Sequence, residues 1–314
     1  MNTAGRVGAD ARTDDGTDDG RVVVIGDALI DELRDDAGVR EFVGGAALNV
    51  AVGLARLGVA TTLLAMVGED EDGDTIRAFL DTHGVELIQT ASPHGSSRAV
   101  SERVDGEPHY VFNTAAQNRH VDFGPEEREA IENARLVVVS CFPFDNDAES
   151  AALDEAVADG SKLVVDPNPR EAMMADRERF ERNALRLAGR SLLVKVGDDD
   201  APFLGADGLG ALVPDLVDRG THVVLATEGR AGARIVDGGI DVSSGIASLP
   251  GAIVDTMGAG DASLASVVAD VVRAGRPADS DAWSRVLDRA MVVAAATCRA
   301  EGALLQTPEG FTSL

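Results

Sequence analysis

The segment IVDTMGAGDASLAS, residues 253–266, places one carboxylate, Asp261, directly after Gly258, Ala259 and Gly260, where a helix-like run begins. Backbone N–H groups in a turn free of bulky side chains can converge on one pocket, and a helix starting there adds roughly half a positive charge at its N-terminus. Together they seat a phosphate. No Gly-Lys-Ser/Thr follows, so the loop is not a Walker A loop. A carboxylate beside a seated phosphoryl group can take the proton of an attacking hydroxyl while the amides stabilise charge on the phosphoryl oxygens. An ordinary helix-capping Asp after a glycine turn has the same local pattern, so the rest of the chain must decide between the two.

The elements around this loop follow a strand-then-helix rhythm. RVVVIGDALI is an apolar run of strand length that stops at Gly26 and Asp27. In AALNVAVGLARLG, Val50, Leu54 and Leu57 share one helical face and Gly58 suits a C-terminal cap. The alternation continues through ATTLLAMVG, DTIRAFLDTHG, LVVVS, DAESAALDEAVADG, KLVVDPN, SLLVKVG and HVVLATEG. Short continuous apolar strands between amphipathic helices predict an α/β fold, a mainly parallel sheet covered on both faces. Ile253 and Val254 read as the end of one more strand, leading into the glycine loop. Residues 97–113, SRAVSERVDGEPHYVFN, alternate weakly around Asp105-Gly106 and read as a β-hairpin. With residues 32–45 this hairpin is expected to form a small β-sheet lid, taking in about 32–45 and 96–120. Ligands of open parallel sheets bind beyond the carboxyl ends of the strands, which is where the motifs fall.

Composition narrows the function classes. The 314 residues carry 54 acids against 28 bases, a formal charge of −26, and Lys162 and Lys195 are the only lysines. Such a surface repels nucleic acid and anionic membranes, both of which need Lys and Arg to neutralise phosphate. The excess acid is either a solvated face that maintains solubility or an adaptation to high salt, where screening relieves self-repulsion. No apolar run reaches the roughly 18 residues that span a bilayer. Residues 1–20, rich in Gly, Asp and Thr, read as a disordered acidic tail, and residues 21–314 as one domain. Two cysteines, Cys141 and Cys298, without a secretory signal fit a reduced cytoplasm, and the five histidines have no metal-site spacing.

With these motifs in view, DTMGAGD resembles the carboxyl-terminal signature of the ribokinase-like (PfkB) carbohydrate kinases, and GDALID, GGAALNVAVGLARLG and DPNPR occur in the order expected of that family. The resemblance runs from about Arg21 to the C-terminus. It implies a three-layer α/β/α ribokinase-like fold with Asp261 as catalytic base and Gly258, Ala259 and Gly260 as the anion hole. Asp27, Asp31, Gly44, Gly45, Asn49 and Asn168 become sugar contacts, in keeping with the way carboxylates and amides bind vicinal hydroxyls and glycines admit a ring. Arg170 would pair with substrate or γ-phosphate. On the nucleotide side, Gly197 and Asp200 stand where the family has Asn or Ser followed three residues later by Glu; Asp200 keeps a carboxylate able to order Mg²⁺ through water. Thr227, Gly229 and Gly232 resemble the loop along the phosphates and ribose, and the segment containing Cys298 resembles the border of adenine. The implied cofactors are ATP and Mg²⁺, with K⁺ near Asp255.

For the acceptor, GDALID is close to the GEALID pattern of the fructokinase-like branch, with Asp27 in place of Glu, so fructose leads. A 2-keto-3-deoxygluconate kinase shares DPNxR and needs a cation for the substrate carboxylate, for which Arg98, Arg103 and Arg119 are candidates. A sugar-binding sensor without transfer is the reading from another class, and an intact Asp261 speaks against it. The lid's edge strands offer a route to a homodimer.

Overall fold

The computed structural model describes residues 20–35, 38–104 and 107–311. Residues 1–19 of the expected tail lie outside these, as do Asp105 and Gly106 at the hairpin tip. In chain order the strands are β1 (Val22–Gly26), β2 (Leu29–Asp35), β3 (Gly38–Gly44), β4 (Thr61–Val67), β5 (Glu86–Ala91), β6 (Ser97–Val104), β7 (Glu107–Phe112), β8 (Leu136–Ser140), β9 (Leu163–Asp166), β10 (Leu193–Gly197), β11 (Val223–Thr227), β12 (Ala233–Asp237) and β13 (Ile240–Ser244). The helices are α1 (Ala46–Arg56), α2 (Glu71–Thr82), α3 (Thr114–Gln117), α4 (Pro125–Asn133), α5 (Asp147–Ala156), α6 (Arg177–Ala188), α7 (Leu209–Arg219), α8 (Ala259–Ala274) and α9 (Ser280–Thr297).

Strands apolar at every position need cover on both sides, and β1, β4 and β8 are buried throughout. They lie inside a nine-stranded sheet ordered β13-β12-β11-β10-β9-β8-β1-β4-β5. Pairing is parallel from β11 to β5, with β12 and β13 added antiparallel at one edge. Strand alternation divides the core in two. Val22 and Val24 pack with apolar residues of α1, α2, α8 and α9, whereas Val23 and Ile25 pack with those of α4, α5, α6 and α7. The result is the expected three-layer α/β/α arrangement. Helix α1 ends as its sequence predicts: Gly58 takes φ +80° and the Val59 N–H closes on the Leu54 carbonyl at 3.0 Å.

Register brings the carboxyl ends of the strands into a row. Gly26 pairs with Ser140, Ser140 with Asp166, and Gly197 with Thr227. Chain order runs outward in both directions from β1 and β8, which makes their shared C-terminal end the topological switch point, where such sheets hold ligands.

A second sheet of four strands, β3-β2-β6-β7, stands beside this end. Strands β6 and β7 pair antiparallel, as the hairpin reading expects, and β2 joins β6 in parallel. One reading fails. Ile253 and Val254 are not in a strand: the sheet ends with β13 at Ser244, and both side chains are exposed. The three-residue run Ala252–Val254 between Gly251 and Asp255 buries too little to join a ladder, and the Val254 N–H is instead taken by the Cys298 carbonyl at 2.8 Å. Among the described residues no helix is long and apolar enough to cross a membrane.

Candidate active site

Asp261 occupies the first turn of α8, and its carboxylate is 8% exposed. The helix begins there because Gly258 can take a left-handed φ of +75° beneath the Ala303 carbonyl; a β-carbon at Gly258 would lie 1.9 Å from that oxygen. The first intrahelical bond runs from the Ala262 N–H to the Gly258 carbonyl at 2.8 Å, and Ala259 reaches Thr256 at a long 3.4 Å. The N–H groups of Gly260 and Asp261 precede the first full turn and have no intrahelical acceptor. Small residues, free amides and a helix N-terminus therefore coincide at the predicted loop.

The Asn49 Nδ2 donates to Asp261 Oδ2 at 2.9 Å, so the amide expected among the sugar contacts is buried in α1 and oriented by the predicted base. Its Oδ1 is buried with no partner among the described residues. Burial raises the pKa of Asp261, opposed by Lys195, the Asn49 bond and Arg170. A raised pKa makes a carboxylate a better proton acceptor near neutrality. No described cation forms a hydrogen bond to Asp261, which leaves its remaining acceptor sites for a ligand.

Asp27 and Asp31 flank the crossing from β1 into β2. The Asp27 Oδ1 accepts the Ala47 N–H at 3.0 Å and so caps α1, where Gly45 supplies no side chain. Asp31 lies against Gly44, whose α-carbon leaves room for it: a β-carbon there would fall 2.3 Å from the Asp31 Oδ2. Burial first, and the neighbouring Asp27 second, push Asp31 up to about 7. Arg170 offsets part of the negative charge at Asp27, Asp31 and Asp261. Asn168, beside it in the DPNPR turn, is buried with φ +40°, an uncommon conformation for a residue other than glycine.

Sequence reasoning missed Lys195. It interrupts the apolar run of β10, is 6% exposed, and its Nζ lies 3.2 Å from Asp166 Oδ1 and 3.4 Å from Oδ2. Ser140 Oγ adds a 3.4 Å contact to Asp166. A β-carbon on Gly260 would lie 3.2 Å from the Lys195 Nζ, so this ammonium borders the glycine loop. Burial by itself lowers the pKa of a lysine, but Asp166, Asp200 and Asp261 outweigh it and keep Lys195 protonated. A lone lysine in a buried strand was the available signal, since an ammonium is almost never buried without a partner.

The nucleotide-side residues form a second group. Asp200 is buried and takes the Gly197 N–H at 2.6 Å, and a β-carbon at Gly197 would sit 3.3 Å from Thr227 Oγ1. Gly229, at φ +48°, lies over Asp198; Gly232, at φ +107°, packs on the Ser244 carbonyl, where a β-carbon would fall 2.1 Å from the oxygen. Asp255 binds its own loop at Met257 N (3.0 Å), and its N–H is tied to the Cys298 carbonyl at 3.3 Å. Cys298 is partly buried at the end of α9. Among the described residues no three Asp, Glu, His or Cys side chains converge into a metal cage.

The small sheet reaches over this assembly. Asp31 pairs with Phe42 and Ala99, and Ala99 with Phe112, which puts the four on one face. Phe42 lies over Gly302, and Arg40 Nη1 meets Glu301 at 3.3 Å, joining β3 to the segment after α9. Arg98 belongs to the opposite face, aligned with Ile30 and Glu32, and its donors are taken by Asp72 (2.7 and 3.0 Å), Glu32 (2.6 Å) and Glu41 (2.6 Å). The side chain of Arg103 lies outside the described residues.

A pfkB family carbohydrate kinase profile matches residues 19–309. The chain belongs to that family. Among curated relatives, a fructokinase of Rhizobium leguminosarum bv. trifolii is 28% identical over 262 residues, covering 80% of this chain and 79% of that protein. Among solved structures, fructokinase with bound ATP from Xylella fastidiosa superposes with a TM-score of 0.78 at 22% identity, covering 91% of this chain and 94% of the other. Fructokinase from Vibrio cholerae in a form with fructose, ADP and calcium ion bound superposes at 0.76 with 21% identity, over 92% and 96%. The ribokinase-like fold and the sugar kinase family expected from the motifs therefore hold, and a pfkB carbohydrate kinase is a phosphotransferase with an alcohol acceptor.

Proposed function

We propose that this pfkB carbohydrate kinase transfers the γ-phosphate of ATP to a hydroxymethyl group of fructose, with Asp261 as the base. The observation that carries the reading is the buried Asp261 carboxylate, held by Asn49 at 2.9 Å in the first turn of α8 beside amides that have no intrahelical acceptor. The sugar hydroxyl gives its proton to Asp261 as its oxygen attacks the γ-phosphorus, and the bond from that phosphorus to the β,γ-bridging oxygen breaks to release ADP. The amides of Gly258–Gly260 and the Lys195 ammonium meet the charge that spreads over the phosphoryl oxygens. Asp27, Asp31 and the free Asn49 Oδ1 accept the other sugar hydroxyls, Gly44 and Gly45 admit the ring, and Arg170 holds a substrate oxygen. Fructokinase relatives at 27–29% identity support fructose as the acceptor.

On the nucleotide side, Thr227, Gly229 and Gly232 line the phosphates and ribose, Gly197 leaves one side-chain contact unmade, and Cys298 borders the base. Asp200, buried at the start of the turn after β10, would order the water shell of Mg²⁺, which would supply positive charge to the phosphates. The Asp255 loop would hold K⁺. The small sheet is the lid, and its closure excludes water from the transfer. Its exposed Val39, Tyr110 and Val111 border the outer strands β3 and β7, which suits pairing with a second copy.

The sugar-acid reading loses its first cation, because Arg98 is fully engaged with three carboxylates on the face away from Asp31. ADP release measured with fructose, other ketoses, ribose and 2-keto-3-deoxygluconate tests the assignment. Fructose should give the highest kcat/KM. A higher value for the sugar acid would overturn the acceptor, and thermal stabilisation by a sugar without ADP formation from any of them would establish a sensor.

A further inference from the structure

The chain crosses between the two sheets at Gly26–Leu29, at Gly44–Ala46, between Gly95 and Ser97, and after Phe112 through α3. A small cavity opens where the first, third and last of these meet, lined by Gly26, Asp27, Ala28, Ser97, Arg119 and Cys141 among others. Asp27 enters the hinge and Arg119 leaves it. The Arg119 Nη1 makes two long contacts of 3.3 Å, to the carbonyls of Ala116 and Met173, which tie the end of α3 to the turn after Arg170. Its Nε is buried and has no acceptor among the described residues. Asp27, which lines the same cavity, has one oxygen committed to the Ala47 N–H, and no hydrogen bond from a described residue reaches the other. A buried N–H without a protein acceptor is rare and costly, and the carboxylate lining the same cavity is Asp27.

We propose that Arg119 is a positioning residue acting from the lid hinge, its Nε–H turning to the free oxygen of Asp27 as the lid closes and holding that carboxylate toward the sugar. The proposal rests on the reading of Asp27 as a sugar contact. The charges around Asp27 agree with it. Burial raises the Asp27 pKa, and among side chains Arg119 opposes this first and Arg170 second, while Asp261 adds to the rise. Asp31 and the Cys141 thiol also face Asp27 and share its field, and both gain from its being a neutral or well-paired group. Arg119 thus reports lid position to the sugar site through one carboxylate. Its Nη1 contacts are to carbonyls and leave the charge available.

The test uses Arg119→Gln and Arg119→Lys in the full chain, with circular dichroism and melting temperature as folding controls. Arg119→Gln should raise KM for fructose about tenfold while kcat and KM for ATP move less than about threefold. It should also move the acid limb of the kcat/KM profile for fructose upward. Arg119→Lys should restore the acid limb, because the charge remains, but not KM, because the fork does not. In an Asp27→Asn background, Arg119→Gln should add nothing. Independently of turnover, ¹³C titration of aspartate carboxyl carbons, with Asp27 assigned from Asp27→Asn, should show its pKa rising in Arg119→Gln. An unmoved Asp27 titration in a folded variant, or a fructose KM effect undiminished by Asp27→Asn, overturns the proposal. If the wild type phosphorylates no sugar, the functional reading fails by itself, and the ¹³C titration still decides the link between Arg119 and Asp27.

Discussion

Replacing Asp261 by Asn changes one oxygen to nitrogen and little else. The Asn amide oxygen can occupy the Oδ2 position and keep the 2.9 Å bond from Asn49 Nδ2, so the base is removed without disturbing α1 or α8. A positioned general base contributes about 10²- to 10⁴-fold, which corresponds to about 2.7–5.4 kcal/mol of barrier. Stability should move the other way. Burial raises the folded-state pKa of this carboxylate, so ionising it opposes folding above its ordinary pKa of 3.8, and a neutral amide is spared that cost. Loss of attraction to Lys195 and Arg170 takes back part of the gain. The expected result is a melting temperature at pH 8 equal to or above that of the wild type, kcat with fructose lowered at least a hundredfold, and KM for ATP changed less than about threefold. Coupled ADP release and thermal melting of the same preparation provide the assay. Turnover within tenfold of the wild type would refute Asp261 as the base, and a collapse in melting temperature would refute the view that its charge is a burden to the fold.

Lys195→Met should destabilise by about 3–5 kcal/mol in urea titrations, because it strands the fully buried Asp166; Lys195→Met with Asp166→Leu should recover most of that stability but not turnover, and equal stability of single and double variants would argue against the pair. Asp31, pushed up to about 7, binds a proton more tightly folded than unfolded, so its contribution to stability falls as pH rises from about 3.8 to about 7. Asp31→Asn should therefore raise the melting temperature more at pH 8 than at pH 5, and a gain independent of pH would contradict that assignment. With a formal charge of −26, the protein should melt at higher temperature in 2 M than in 0.1 M KCl as self-repulsion is screened. A flat salt response would leave the acidic surface without a role in stability.

Much of the site could be read from local patterns, because its loops are built from residues whose conformations are nearly forced. Gly258 before a helix, paired glycines before α1 and a DPNP turn after β9 declare their geometry in a few adjacent residues. Lys195 and Arg119 could not be read this way. Each draws its meaning from a partner distant in sequence, Asp166 on the neighbouring strand and the crossing that begins at Asp27. The strand expected at Ile253–Val254 failed for a related reason: apolar type without an adjacent ladder does not make a strand.

The amino-acid sequence by itself determined the α/β layering, the position of the glycine loop before α8 and the family, since periodicity, turn chemistry and motif order are properties of neighbouring residues. Only the tertiary structure decided which charges share a pocket. It placed Asn49 on Asp261 and Lys195 beside Gly260, and it engaged Arg98 with three carboxylates on the sheet face away from Asp31. The physical reason is that electrostatic energy depends on distance and burial, which strand order and register set and which no short stretch of chain contains.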